Sequence, residues 1–86
     1  MYSVELYKQA AKYYTKLDVK TQKRIDNAVD VMMKNPHEGQ HIKKLKGRLD
    51  GKYRYDTDGL RIIYYVDEGD KIVYIEAIGP RGDIYK

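Results

Sequence analysis

A chain of 86 residues with a formal net charge of +4 can bury only one modest hydrophobic core, which limits it to one small domain. It contains no cysteine, so disulfide bonds, thiolate catalysis and thiol-ligated metal sites are excluded. The first residues lack the basic and apolar regions of a signal peptide, and no apolar run approaches the roughly 20 residues that cross a bilayer. We therefore expect one cytoplasmic domain over residues 1–86 that does not associate with membranes.

The N-terminal half of the sequence predicts one strand followed by two helices. Tyr2, Val4 and Leu6 alternate with polar residues, which is typical of a short strand. Apolar residues at helical spacing then predict a short amphipathic helix that reaches Leu17. Asp18 is a candidate N-cap for a second helix. The apolar stripe of this second helix comprises Ile25, Ala28, Val29, Met32 and Met33.

The second helix is expected to end at Asn35-Pro36, because proline disfavours helical geometry in the residue before it. Beyond Leu49 the pattern alternates with a period of two residues, which favours strands. Turn residues divide this part into three segments, so the chain reads as a strand, two helices and an antiparallel meander. The predicted strands are 52–55, 60–67 and 71–79, separated by turns at 56–59 and 68–70.

Positive charge is concentrated between Ile42 and Arg54, where six cationic side chains accompany a single aspartate. Such a segment favours a polyanionic partner, of which nucleic acid is the commonest, although a solvated lysine-rich loop would have the same composition. Four of these side chains precede the meander and suit diffuse contacts with RNA phosphates. They are Lys43, Lys44, Lys46 and Arg48.

The first strand of the meander separates basic from aromatic side chains. Lys52 and Arg54 point to one face and the intervening tyrosines to the other, where they can pack against the helices. The hairpin brings Arg61 close to Arg54. Adjacent cations repel, so either a bound anion or a neighbouring carboxylate, Asp56 or Asp58, must offset them.

The C-terminal residues add an arginine and a tyrosine to this set. Neighbouring cations lower the pKa of a tyrosine, which makes Tyr85 near Arg81 a candidate for proton transfer, although Asp83 could instead pair with Arg81. Neither His37 nor His41 has a nearby acidic third ligand, and we predict no metal site for them.

The order and spacing of several short segments resemble the RelE family of toxins across nearly the whole chain. The family resemblance implies an α+β fold in which two N-terminal helices pack on one face of a small antiparallel sheet, in the order βααβββ. It also implies pairing with an antitoxin. The segments that carry it are Leu17-Asp18, Asn35-Pro36, Leu45-Lys46-Gly47, 52–55, 59–64, 78–81 and Tyr85.

The resemblance also implies roles for individual residues. Lys52 and Arg54 match the basic pair that holds the scissile phosphate, and Arg61 matches the arginine that stabilises the pentacovalent phosphate. Arg81 matches a C-terminal arginine that contributes to charge stabilisation. Tyr85 matches the tyrosine that orients or activates the ribose 2′-hydroxyl, and whether it or Lys52 is the general base stays open.

Within the ribonuclease branch of the family, these residues imply a ribosome-dependent endoribonuclease that cuts mRNA in the A site without a metal or other cofactor. Its expected partners are the 70S ribosome with its mRNA and an acidic antitoxin. Two alternatives share the fold: a toxin that poisons DNA gyrase by binding alone, and an inactive relative that only binds an antitoxin. The chain also departs from the family pattern at two positions, Asp56 and Pro80.

Overall fold

The computed structural model describes residues 1–82 of the chain. Within these residues, strand β1 and two helices come first and four further strands follow, with one 3-10 turn at Gly47–Leu49. Among the described residues, no helix is both long and apolar enough to cross a membrane. The elements are β1 Ser3–Leu6, α1 Lys8–Thr15, α2 Val19–Lys34, β2 Ile42–Lys44, β3 Lys52–Thr57, β4 Leu60–Asp67 and β5 Ile72–Pro80.

The strands form one sheet in the order β1-β5-β4-β3-β2. β2 to β5 pair antiparallel, and for β3 to β5 this is the predicted meander. In contrast, β1 runs parallel to β5, with Val4 opposite Val73. The predicted α+β fold is confirmed, with two additions that the sequence did not indicate: the short strand β2 and the parallel edge pair. β2 carries two lysines in three residues, so it lacks the apolar alternation that marks a strand.

Both helices pack on one face of the sheet and form the core with it. The buried side chains of α2 are Ile25, Ala28 and Met32, which belong to the predicted apolar stripe. From the sheet, Tyr55 joins this cluster and Tyr53 packs against it, which confirms the predicted inward direction of the two tyrosines. The other strand residues of the core are Ile62, Tyr64, Val73, Ile75 and Ile78.

A two-residue turn sets the register of the β3–β4 hairpin. Asp58 and Gly59 have φ angles of 43° and 83°, the left-handed combination of a type I′ turn, which glycine and aspartate tolerate well. The turn is shorter than predicted because β3 continues to Thr57. As a result, Arg61 stands directly opposite Asp56 in the ladder.

The deepest polar contact of the core ties β4 to the end of α2. Tyr64 is fully buried, and its hydroxyl donates to the carbonyl oxygen of Pro36 at 2.7 Å. Burial raises the pKa of this phenol far above its ordinary value, so it stays protonated and able to donate. The bond holds the α2–β2 connection against the sheet.

We expect Tyr64→Phe to lower the free energy of unfolding by about 1 kcal/mol, because the Pro36 carbonyl would stay buried without its donor. Chemical denaturation followed by circular dichroism measures the change. Tyr13→Phe is the matched control, since Tyr13 also packs against the core but its hydroxyl makes no hydrogen bond with a described residue. Equal losses in both variants would contradict this account.

Candidate functional site

The sheet face opposite the helices collects the predicted phosphate-binding residues. Because Tyr53 and Tyr55 face the core, the pleat turns Lys52, Arg54 and Asp56 to this outer face. Arg61 lies across from Asp56 on β4. The outer face of β3 and β4 is therefore where the predicted cationic side chains of the two strands meet.

Asp56 is the centre of this charge cluster. Arg61 Nε donates to Asp56 Oδ1 at 2.8 Å, and Arg61 Nη2 donates to Oδ2 at 3.4 Å. Arg54 Nε lies 3.5 Å from the same Oδ2. The two arginines thus approach the carboxylate of Asp56 from two strands, Arg54 from β3 and Arg61 from β4. Asp58, the other aspartate considered as a counter-ion, instead pairs with Arg24 at 3.2 Å.

Arg81 follows β5, and its charge acts on the same cluster. Its backbone N–H donates to the carbonyl oxygen of Gly59 at 2.9 Å, which fixes the chain beside the hairpin turn. Burial acts to raise the pKa of Asp56, but the hydrogen bond and charge of Arg61, with the charges of Arg54 and Arg81, lower it on balance. Three arginines therefore stabilise one anionic group.

Lys52 has its own carboxylate partner, Glu76, at a distance of 2.8 Å between Nζ and Oε1. A bulge in β5 creates this contact: Ile63 pairs with Ala77 and Tyr64 with Ile75, which leaves Glu76 as the extra residue. The Glu76 side chain is only 16% exposed. Sequence reasoning missed this residue, although an acid inside an otherwise apolar strand was a usable signal.

The four predicted docking residues lie along one edge of the molecule and are all exposed. Lys43 stands directly opposite Arg54 across the β2–β3 ladder, so it borders the charge cluster. Lys44 ends β2, Lys46 lies just beyond it, and Arg48 is in the 3-10 turn. Only Lys43 among them adjoins the cluster through strand pairing.

Two predictions about the C-terminal tail lie outside the described residues. Tyr85, predicted to act on the ribose 2′-hydroxyl, and Asp83, the alternative partner of Arg81, both belong to residues 83–86. The role of Tyr85 therefore stays a prediction.

Another tyrosine does approach Lys52, but it is a poor base. Tyr65 is paired with Lys52 across the ladder, and its hydroxyl is 2.5 Å from that of Tyr7. The hydrogen bond with Tyr7 raises the pKa of Tyr65 to about 12, so its phenol keeps its proton at neutral pH.

The two histidines occupy separate environments between α2 and β2. His37 Nδ1 is 2.9 Å from the hydroxyl of Tyr53, and its Nε2 contacts the carboxylate of Glu68. The same carboxylate accepts a hydrogen bond from the Tyr2 hydroxyl at 3.0 Å. His41 is exposed and lies against Tyr55, with the ring centroids 5.5 Å apart. His37 thus joins the residue that precedes β1 to β3 and to the β4–β5 turn, a structural network that sequence reasoning missed.

The fold and the family-model match identify a toxin of the RelE/ParE superfamily. The chain belongs to the ParE-like toxins of type II bacterial toxin-antitoxin systems, whose family model matches residues 4–86. No curated protein sequence matches the chain significantly.

Solved structures share the fold over nearly the full length. The archaeal RelE of the RelE–RelB complex from Pyrococcus horikoshii is 29% identical with a TM-score of 0.81, and the match covers 95% of this chain and 97% of that one. The isolated RelE toxin of E. coli is 20% identical with a TM-score of 0.80, covering 99% and 92%. A YoeB/ParE toxin from Agrobacterium tumefaciens is 15% identical with a TM-score of 0.81, covering 92% and 98%.

The lowered pKa of Asp56 predicts an acid-sensitive contribution to stability. This contribution is fully present above the ordinary aspartate value of 3.8 and is lost as the pH falls through the lower folded-state value. We expect Asp56→Asn to reduce the free energy of unfolding at neutral pH by about 1–2 kcal/mol, because two arginines lose their charged partner. The deficit should shrink below about pH 4.

Urea titrations of wild type and variant across this pH range measure the deficit. Asp58→Asn is the matched control, since Asp58 is more exposed and asparagine also tolerates its left-handed backbone. A deficit for Asp56→Asn that does not change with pH would show that the charge of Asp56 does not stabilise the fold.

Proposed function

We propose that this toxin is a ribosome-dependent endoribonuclease that cleaves mRNA in the A site by attack of the ribose 2′-hydroxyl, without a metal ion or other cofactor, and that residues 1–86 act as one domain. The observation that carries the proposal is the approach of Arg54 and Arg61 to the single carboxylate of Asp56, whose pKa the charge of Arg81 also helps to lower. A phosphodiester presents the same charge and the same paired oxygens to a guanidinium as a carboxylate does.

The arrangement suits stabilisation of the charge that develops on phosphorus. A substrate phosphate that displaces or shares the Asp56 position would meet Arg61, whose Nε and Nη2 already donate to two oxygens there. Arg54 would approach from the neighbouring strand, and Arg81 from the turn. Donors held in place before the reaction lower the barrier because they need no reorganisation as the charge forms.

The contact between Lys52 and Glu76 favours Tyr85 over Lys52 as the general base. A carboxylate beside an amine favours the ammonium form, so Lys52 is better suited to stabilise negative charge or protonate the departing 5′-oxygen than to remove a proton. Tyr85 is then the preferred group for activating the 2′-hydroxyl, in keeping with the family resemblance.

The expected partners follow from the surface charge. The relative from Pyrococcus horikoshii was solved as a complex with RelB, and we propose an antitoxin for this chain as well, with acidic side chains that cover the arginine cluster.

Binding to the 70S ribosome through Lys44, Lys46 and Arg48 would place the toxin on mRNA, which sets its action in the cytoplasm. These exposed cations suit phosphate contacts that carry no sequence information.

A second function, gyrase poisoning by binding alone, is favoured by two observations. The matching family model describes ParE-like toxins. In addition, Asp56 and Glu76 offset part of the positive charge on the outer face, which weakens its attraction for RNA. A toxin that acts by binding would not need an RNA-cleaving face.

The two functions are separated by Arg61→Ala. We expect the variant to cleave mRNA on programmed ribosomes at least about a hundredfold more slowly than wild type, because one donor to the developing phosphate charge is lost. Cleavage is measured by primer extension, and circular dichroism checks the fold. Lys23→Ala on the exposed side of α2 is the control and should cleave at the wild-type rate.

Intact mRNA on ribosomes treated with the wild-type toxin would overturn the ribonuclease proposal. Double-strand DNA breaks in cells that make the wild-type toxin, unchanged by Arg61→Ala, would establish the gyrase function in its place.

Docking to the ribosome should depend on salt. Replacing Lys44, Lys46 and Arg48 together by alanine should weaken ribosome binding and make it less sensitive to salt, by about 0.7–0.9 in the log–log slope for each phosphate contact removed. Cleavage at saturating ribosome concentration should be unchanged. A triple alanine variant of the exposed α1 region (Lys8, Lys12 and Lys16) removes the same charge and should keep the wild-type slope. Equal slopes for the two triple variants would contradict docking through the β2 edge.

A further inference from the structure

A pocket of about 280 Å³ lies beside the arginine cluster, where β2 meets β3. Its position follows from strand pairing, because Lys43 stands opposite Arg54 and the N–H of Asp56 donates to the carbonyl oxygen of His41 at 3.1 Å. Two of its lining residues therefore belong to the cluster itself. The pocket is lined by Gln40, His41, Ile42, Lys43, Arg54 and Asp56.

One residue that lines the pocket, Arg54, has a hydrogen-bond donor that no described residue satisfies. Arg54 Nε is buried and makes no hydrogen bond with any described residue, and its nearest carboxylate oxygen, on Asp56, is 3.5 Å away. Asp56 balances the charge of Arg54 only in part, because the same carboxylate also binds Arg61, so this position favours a further anionic ligand. Lys43, exposed on the neighbouring strand, adds a second cation.

The rest of the lining suits a planar ring with polar edges. His41 rests against Tyr55, with 5.5 Å between the ring centroids and 39° between the planes, so it offers a supported aromatic surface for stacking. Ile42 supplies apolar contact. The Gln40 side-chain amide can both donate to and accept from the edge of a base. The volume lies near the lower limit for ligand sites and would hold one nucleotide rather than several.

We propose that this pocket binds the nucleotide next to the cleaved phosphate of the RNA substrate. Lys43 and Arg54 hold its phosphate, and His41 and Gln40 contact its base. The proposal rests on the ribonuclease function above and assigns to it a base-contacting subsite. Single-stranded RNA is the ligand that the surface favours, because the pocket is continuous with the arginine cluster and combines cations with an aromatic ring.

The test is an NMR titration of the isotope-labelled toxin with a 2′-O-methyl trinucleotide, which cannot be cleaved. Three analogues each lack one base, and inorganic phosphate is titrated separately. The trinucleotide should shift the signals of all four polar residues of the pocket lining, Gln40, His41, Lys43 and Arg54. Of these four, inorganic phosphate should shift only Lys43 and Arg54. Removing one particular base should weaken binding about tenfold, the order expected for stacking on one aromatic ring.

Variants locate the base contact. In His41→Ala the intact trinucleotide and the analogue lacking that base should bind equally, while Glu38→Ala, in the same loop but outside the pocket, should keep the tenfold difference. Persistence of the difference in His41→Ala would overturn the subsite. Identical shifts with inorganic phosphate would also overturn it, by showing a simple anion site.

Arg61→Ala distinguishes failure of the subsite from failure of the function. Weaker binding of every trinucleotide by this variant, with no shifts at residues 40–43 in wild type, would refute only the subsite. If the trinucleotide shifted no signals on the outer face and Arg61→Ala changed nothing, both the subsite and the ribonuclease proposal would fail.

Discussion

The repulsion between Arg54 and Arg61 is the constraint around which the outer face is built. Their strands are adjacent, and the type I′ turn at Asp58 and Gly59 leaves no freedom to slide them apart, since a slip of one residue would turn the core side chains outwards. The carboxylate of Asp56 resolves the conflict by lying between the two guanidinium groups. One turn thus fixes both the core register and the geometry of the charged face.

Two carboxylates offset part of the positive charge on this outer face. Asp56 and Glu76 are both largely shielded from solvent, and each is bound to a cation that the proposed chemistry uses. In the proposed reaction a phosphate would compete with Asp56 for Arg61, and part of its binding energy would be spent on displacing an internal anion. The same carboxylates keep the cations ordered in the free protein. Preorganisation and competition are therefore supplied by the same side chains.

The sequence predicted most of the fold because its main signals are periodic. The apolar stripe of α2 and the alternation of β3 and β4 reflect packing against a single core, and the structure follows both. β2 escaped notice because it is an edge strand held mainly by backbone pairing, which leaves no hydrophobic pattern. The parallel pairing of β1 with β5 joins distant parts of the chain, so a local sequence pattern cannot predict it.

The charged residues of the site also divide into some that the sequence predicted and some that it did not. Cations on β3 and β4 could be placed from the pleat alone, and Asp56 was one of the counter-ions that the sequence offered for them. Glu76 could not, because a bulge shifts its register relative to β4. His37 was equally hidden, since its contacts join residues 31 positions apart along the chain, at Glu68.

The parallel pairing of β1 with β5 has a consequence for how the toxin folds. Among the described residues, β1 pairs only with β5, which lies more than 60 residues further along the chain, so this edge of the sheet closes only through a long-range contact. Until then β1 and the apolar faces of both helices lack the strand that contributes Val73, Ile75 and Ile78 to the core. The core is therefore completed only when residues from the two ends of the described chain come together, which makes long-range pairing a late step of folding.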